Sequence, residues 1–389
     1  SPWKPRVMLY CSPLIGHLVS MVELAKLFVA RGLAVTIVLM DPVYDTGATG
    51  PFLAGVSAAN PSISFHRLPQ VELLESDHSM IPALAIARHS NPHLRDFLAG
   101  ASPDVLVVDF FCSAAVDVAA ELGIAVYFFN TSGAQILAFF MHLPVLHGKS
   151  TRSFREMGEE IVHVPGIASF PATHTIQPLM DRDGASYNAF LNVSLNLFRS
   201  QGIIVNTFRS LEPRAMDTML AGLSAPPGLS TPPVYCIGPL IKSDKVGVKL
   251  PKGFLDRTKG RGLVVKSWAP QGDVLAHHAV GCFVTHCGWN SVLESIMAGV
   301  PMVAWPLYAE QRMNAVFLEK EMELAVPMEG YDKDLVESKE IAKKVKWMMD
   351  SEGGKVLRER TQAVMRQAKE ALLEDGESMA TLAGLVDAW

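Results

Sequence analysis

Residues 268–311 read WAPQGDVLAHHAVGCFVTHCGWNSVLESIMAGVPMVAWPLYAEQ. A Trp and a short helical run (272–277) precede an apolar strand (282–285). A turn carrying His286 and Gly288 follows, and then a helix (290–298) that opens on polar residues. Gly288 lets backbone approach backbone or ligand closely. A helix N-terminus exposes unpaired N–H groups and a partial positive charge, so a phosphate fits there. Asn290 and Ser291 add side-chain donors, and His286 can donate a further hydrogen bond. This is the order of parts that holds a nucleotide diphosphate. A purely structural reading stays open for single members: Asn and Ser are ordinary caps, and Ser291-x-x-Glu294 has capping-box spacing. His277, His278, Cys282, His286 and Cys287 are residue types that bind zinc. Cys282 and His286 fall at the two ends of one strand, however, and no CxxC or HxxxH pair exists, so no metal is expected. Cys287 reads as a small buried side chain.

Working outward, strands are expected at 263–266, 302–305 and 324–327, with helices at 309–320, 339–350 and 355–373. At the other end of the chain an apolar run (7–11) leads through Ser12-Pro13-Leu14-Ile15-Gly16-His17 into a helix (18–30) and a strand (34–40). Buried strands linked by helices mark a parallel sheet. The theme recurs with strands at 63–68, 105–108, 125–129, 202–206 and 234–237, and helices at 81–99 and 113–122. The expectation is an α/β chain of two doubly wound, Rossmann-like domains facing across a cleft at the carboxyl ends of both sheets. The boundaries are 1–238, a linker at 239–253, and 254–389, with the last helix packing back on the first domain.

The 389 residues suit two domains, and 49% hydrophobic against 19% charged residues can fill a large core. A net charge of -5 and the lack of a basic stripe argue against a nucleic-acid partner. Five scattered cysteines suit free thiols in a reducing compartment. The start does not read as a signal peptide, and without an initiator Met residues before Ser1 are expected. The most apolar region, 124–146, is broken by Asn130, Thr131, Ser132, Gly133, Gln135, His142 and Pro144, so it reads as strand then helix, not as a membrane span. A monomeric, cytoplasmic enzyme is expected.

His17 sits in the first β-to-α turn, where a histidine can take a proton from a hydroxyl. Alone it could equally be a polar helix-start residue. Asp109 ends the apolar run 105–108 and reads as a carboxylate aimed into the cleft. Asp117 competes by sequence distance but falls in the following helix and reads as a surface charge.

The stretch is similar to the signature box of plant family 1 UDP-sugar glycosyltransferases, which act on small secondary metabolites. Trp268, Pro270, Gln271, Leu275, His277, Phe283, the six residues His286, Cys287, Gly288, Trp289, Asn290 and Ser291, then Glu294, Gly299, Pro301, Pro306, Glu310 and Gln311 all match it. The resemblance implies a GT-B fold with the donor in the C-terminal domain. It implies that Trp268 stacks on uracil, that backbone near Gln271 bonds the base edge, and that Glu294 grips the ribose hydroxyls. His286, Asn290 and Ser291 hold the phosphates, Trp289, Glu310 and Gln311 the sugar hydroxyls, and Thr131 touches the donor sugar. Gln at the end of the box accompanies UDP-glucose. An indole face stacks on a base, a carboxylate accepts from two vicinal hydroxyls, and Glu-Gln can bind several sugar hydroxyls.

The resemblance further implies that Asp109 orients His17 and stabilises its imidazolium. The implied reaction is inverting transfer of glucose from UDP-glucose to a hydroxyl of a small apolar phenolic or flavonoid acceptor. C-glycosylation of a phenolic ring is an alternative with the same base. No cofactor or metal is expected, because no Asp-x-Asp stands at a donor site; Asp181 and Asp183 have the spacing but lie in the acceptor half. The acceptor pocket is expected from residues 14–15, 78–82, 110–111, 139–143 and 180–187.

The chain departs from the family in one place. Only 27 residues separate Leu240 from Trp268, and 241–258 contain no apolar strand. A segment is expected to be missing near 249/250. Either the sequence as read omits it, or the protein lacks it, which would remove the centre of the second sheet. Two other classes stay open: a non-catalytic UDP-sugar-binding relative, and another two-domain sugar-nucleotide enzyme such as an epimerase. His17 with Asp109 argues against the first, and Glu310-Gln311 against the second.

Overall fold

The computed structural model describes residues 4–43, 47, 49–75, 77, 80–241, 259–260, 262, 269–333 and 335–389. The first half alternates strands and helices: β1 (Arg6–Tyr10), α1 (Ile15–Ala30), β2 (Ala34–Leu39), α2 (Thr49–Ala59), β3 (Ile63–Arg67), α3 (Pro82–Ala101), β4 (Val105–Asp109), α4 (Ala115–Leu122), β5 (Ala125–Asn130) and α5 (Ala134–Lys149). After α6 (Phe154–Met157) come an antiparallel ribbon of β6 (Ile161–Val162) and β7 (Phe170–Pro171), then α7 (Ala185–Leu197), β8 (Gly202–Val205), α8 (Pro213–Leu220) and β9 (Val234–Cys236). Seven of these strands form one parallel sheet, ordered β3-β2-β1-β4-β5-β8-β9.

Both faces of that sheet are covered. Met8, Tyr10, Leu106, Val108 and Phe128 enter one core, while Val7, Leu9, Val105, Val107 and Phe129 enter the other. That is why the strands read as unbroken apolar runs. The chain leaves β1 towards β2 and β4 towards β5, so the crevice between β1 and β4 is the switch point where open α/β sheets bind ligands. Tyr10 pairs with Val108, Asp109 with Phe129, and Asn130 with Val205. The residues just beyond β1, β5 and β8 therefore share one carboxyl edge with Asp109.

The second half runs α9 (Gln271–Ala276), β10 (Phe283–Thr285), α10 (Trp289–Ala298), β11 (Met302–Ala304), α11 (Gln311–Lys320), β12 (Ala325–Pro327), α12 (Ser338–Asp350), α13 (Glu352–Ala371) and α14 (Glu377–Asp387). Among the described residues its sheet has three parallel strands, β10-β11-β12. The strand expected at 263–266, Trp268, nearly all of the linker and the break expected near 249/250 lie outside the described residues.

The two halves share their cores. Phe208 and Leu211, which follow β8, pack with Cys287, Trp289, Val292, Leu293 and Ile296. Met313, Val316 and Phe317 of α11 join a first-half core. Leu382 and Leu385 of α14 join the other, and the Trp389 ring lies 5.2 Å from those of Phe28 and Tyr127. An apolar seam of this kind holds two domains in one arrangement.

Sequence reading passed over α2 and α7, and also α6, α8 and α14. The first two are rich in Gly, Pro, Ser or Asn, weak helix formers, and are helical here because tertiary packing overrides propensity.

Candidate active site

His17 is the third residue of α1, which starts directly after the β1 turn. Its Nδ1 lies 2.8 Å from Asp109 Oδ2. Asp109 is fully buried, whereas the imidazole keeps about a quarter of its surface exposed. The other carboxylate oxygen accepts the Phe111 N–H at 3.1 Å, capping the turn after β4 and fixing the plane of the group. The Thr131 hydroxyl lies 3.3 Å from the same Nδ1. The Phe111 ring is tilted against the imidazole at 5.2 Å. Burial alone would depress the His17 pKa, but the Asp109 charge and hydrogen bond, with a contribution from Glu310, outweigh it and raise it.

The turn from β10 to α10 holds the second group. Gly288 is the N-cap and no side chain caps the helix, so its first N–H groups are open. A Cβ at position 288 would sit 2.4 Å from His286 Nε2, so any larger residue there obliges the imidazole to move. Burial lowers the His286 pKa and keeps the ring neutral. Cys287 is buried with φ of 66°, a conformation uncommon outside Gly. Thr285 Oγ1 accepts its N–H at 3.1 Å and Asn314 Nδ2 donates to its carbonyl at 2.9 Å.

The capping-box reading of Ser291 and Glu294 does not hold. The helix begins at Trp289, so Ser291 is already inside the first turn. Instead Gln271 Nε2 donates to Ser291 Oγ at 3.0 Å and to Glu294 Oε2 at 2.6 Å. Glu294 is buried, which raises its pKa, while the Gln271 hydrogen bond opposes the shift.

Asn290 joins the two groups. Its Oδ1 accepts from Ser20 Oγ at 3.3 Å and its Nδ2 donates to the Gly16 carbonyl at 3.4 Å, so the start of α10 rests on the first turns of α1 beside His17. Trp289 is buried, and its indole N–H donates to the Asn206 carbonyl at 2.7 Å. Glu310 is the N-cap of α11; burial raises its pKa, and the neighbouring His17 charge lowers it. Gln311 Oε1 accepts the Leu307 and Tyr308 N–H groups, both at 2.9 Å, which folds the turn leading into α11.

His17, Asp109, Thr131, Asn290 and Glu310 thus converge at the switch point, with Gln271, Ser291 and Glu294 grouped on the α9–α10 side. Asp117 is exposed and pairs with Arg199 at 2.7 Å. Phe110, Phe140 and Phe190 pack behind Phe111 with ring centroids 4.6 to 6.1 Å apart, which makes an apolar wall next to His17. Of the expected acceptor segments, 139–143 is interior helix, with Phe139, Met141 and Leu143 fully buried, so these three are core; His78 lies outside the described residues. Sequence reading missed Asn206 and Glu212. Glu212 precedes a proline and looks like a local helix-start acid, yet its carboxylate accepts the Ala134 and Gln135 N–H groups, both at 2.9 Å. Only the fold reveals that partner. Among the described residues no group of three or more His, Cys, Asp or Glu side chains could hold a metal ion, and no helix is long and apolar enough to cross a membrane.

Residues 249–355 match the family model described as UDP-glucoronosyl and UDP-glucosyl transferase. The chain is 35% identical to a phloretin 2'-O-glucosyltransferase of Malus domestica, with 98% of each chain covered. It is 34% identical to an anthocyanidin 5,3-O-glucosyltransferase of a Rosa hybrid cultivar, again with 98% of each covered. The Malus alignment runs over 475 positions against 389 residues here, so that relative carries residues with no counterpart in this chain. Among solved structures, UGT2 of Phytolacca americana, complexed with UDP-2fluoro-glucose and pterostilbene, superposes with a TM-score of 0.89 at 32% identity over 100% of both chains. A UDP-glucosyltransferase from Polygonum tinctorium capable of glucosylating indoxyl and 3,4-dichloroaniline gives 0.91 at 32%, covering 100% of this chain and 99% of that one.

Proposed function

Since this chain belongs to the UDP-glycosyltransferase family and is a GT-B glycosyltransferase, we propose that it moves glucose from UDP-glucose to a hydroxyl of a small phenolic acceptor, with inversion at the anomeric carbon. The observation that carries this reading is the 2.8 Å contact of His17 with Asp109, set directly against the open N-terminus of α10. Relatives that act on phloretin and anthocyanidin, and a neighbour holding pterostilbene, support a flat phenolic acceptor.

In this reading the His17 Nδ1–H donates to Asp109, which leaves the Nε2 lone pair to act as base. Nε2 takes the acceptor proton as the acceptor oxygen bonds C1 of glucose. The bond from C1 to the phosphate oxygen breaks on the opposite face, and UDP departs. Asp109 stabilises the imidazolium that forms. Trp268 stacks on uracil, with Gln271 at the base edge and Glu294 on the ribose hydroxyls. His286, Asn290, Ser291 and the open N–H groups behind Gly288 take the diphosphate, an electrostatic role that needs no metal. Thr131, Glu310 and the free end of the Gln311 amide bind glucose. The Trp289 indole N–H is already paired, so its contribution to the sugar comes from its backbone N–H. The enzyme is taken to work as a cytoplasmic monomer.

The test is to supply UDP-glucose and a panel of flavonoids, stilbenes and dihydrochalcones, with and without EDTA. A β-linked O-glucoside formed at equal rate in both supports the reading. An α-linked product sinks inversion, loss of turnover with EDTA sinks metal independence, and UDP binding without any product sinks the transferase assignment.

A further inference from the structure

We propose that the Trp289 side chain is an interdomain hook, which sets the line-up of the donor end of α10 with His17 and does not itself touch the sugar. The inference rests on the assignment of the α10 N-terminus to the donor diphosphate.

Three sets of contacts carry it. The indole N–H is held at 2.7 Å by the carbonyl of Asn206, just past the end of β8. That carbonyl belongs to a residue whose side chain is itself clamped to the Leu240 backbone. Its Oδ1 accepts the Leu240 N–H at 2.7 Å, and its Nδ2 donates to the Leu240 carbonyl at 3.1 Å. Next, the far edge of the indole lies on Gly133. A Cβ at 133 would stand 2.8 Å from Cζ2 and from Cη2 of Trp289, and equally 2.8 Å from Glu212 Oε1. Gly133 is the N-cap of α5 and has no side chain to cap with, so Glu212 does it, accepting the Ala134 and Gln135 N–H groups at 2.9 Å. Finally, the turn so pinned carries Thr131, whose hydroxyl lies 3.3 Å from His17 Nδ1.

A continuous set of contacts thus runs from the first residue of α10, through Gly133 and Thr131, to the imidazole. Asn290 closes the loop on the other side through Gly16 and Ser20. The diphosphate would sit on one end of this frame and the base on the other. Their separation is then a property of the frame, and a misplacement of about 1 Å can cost up to about a hundredfold in rate. Trp289 and Glu212 are positioning residues in this scheme.

The experiment uses Trp289→Phe, which keeps an aromatic ring but removes the N–H and the edge that meets Gly133. Calorimetry gives UDP affinity. A second assay follows how UDP-glucose divides between transfer to a phenolic and hydrolysis by water, a ratio that does not depend on the folded fraction. The expected result is UDP affinity within about twofold of wild type and a transfer-to-hydrolysis ratio lower by about tenfold or more. An unchanged ratio overturns the proposal, as does UDP affinity that falls as far as kcat/KM. Should Trp289→Phe fail to fold, Glu212→Gln takes its place, with the same direction expected and an unchanged ratio again overturning the idea. If wild type binds UDP but forms no product, the functional reading fails by itself. The hook is then judged by hydrogen exchange at the Ala134 and Gln135 amides, which speeds up in Trp289→Phe if the hook exists and stays unchanged if it does not.

Discussion

His17 and Asp109 are 92 positions apart in sequence, yet Nδ1 and Oδ2 meet at 2.8 Å. The contact exists because β1 and β4 are neighbours in register, with Tyr10 opposite Val108, so the residues that leave both strands face the same crevice. A buried carboxylate with one N–H already on its other oxygen has a fixed direction, and the imidazole takes its orientation from it.

Replacing His17 with Ala should lower kcat by about a hundredfold to ten-thousandfold, the usual worth of a positioned general base. UDP affinity by calorimetry should not change, because the residues proposed to hold UDP all lie in the second half of the chain, on and beside α9 and α10. Full activity in the variant would remove His17 from the chemistry.

The pH profile follows from the raised His17 pKa. With His17 as the proposed base the neutral ring would be the active form, so kcat/KM should rise with pH through a midpoint above the ordinary histidine value. Asp109→Asn deletes the charge that outweighs burial, so its midpoint should move down while the plateau falls. Rates measured between about pH 5 and pH 9 span the rise and the plateau. A midpoint that stays put would mean another group controls the limb.

Glu294→Ala should raise the KM for UDP-glucose by about tenfold or more, since a hydrogen bond to a charged group contributes about 1.5–3 kcal/mol. Acceptor KM should be little altered. The same variant frees Gln271, whose amide now bonds both Glu294 and Ser291. Steady-state kinetics with each substrate varied in turn would show whether the loss is confined to the donor.

Gly288→Ala should weaken UDP binding by pushing His286 away, because the new Cβ would fall 2.4 Å from its Nε2. Truncating His286 to Ala removes the obstruction, so the double variant should lose less than the sum of the two single losses. Additive losses in this double-mutant cycle would show that the two positions act separately.

Phe208→Ala should destabilise the protein by about 3–5 kcal/mol, the usual cost of emptying a buried aromatic site. Phe208 is fully buried, and it follows a first-half strand but packs in the second-half core. Urea unfolding should therefore shift as one transition in both tryptophan fluorescence and circular dichroism. Two separated transitions would mean that the halves unfold independently.

Much of this was legible in the residues. The strand runs at 7–11 and 105–108 are apolar throughout because both faces of a parallel sheet are covered, and that alone places His17 and Asp109 at carboxyl ends. The signature box is continuous in sequence, so its match to a family needs no folding argument. Glu212 was not legible: a glutamate before a proline looks the same whether it caps its own helix or one that starts 78 residues upstream. The core position of Phe139, Met141 and Leu143 was equally hidden, since apolar residues read alike on a pocket wall and in an interior.

By itself the sequence determined the class of fold, the family and the two stretches that carry the candidate chemistry, because periodicity, turn residues and motif spacing are local properties of a chain. Tertiary structure alone decided which groups meet. It set His17 on Asp109 through strand register, rested Asn290 on Gly16, spent the Trp289 indole on Asn206, and turned Ser291 from a cap into a partner of Gln271. Hydrogen bonds and packing between distant segments depend on how strands are ordered and halves are docked, and no local pattern encodes that order.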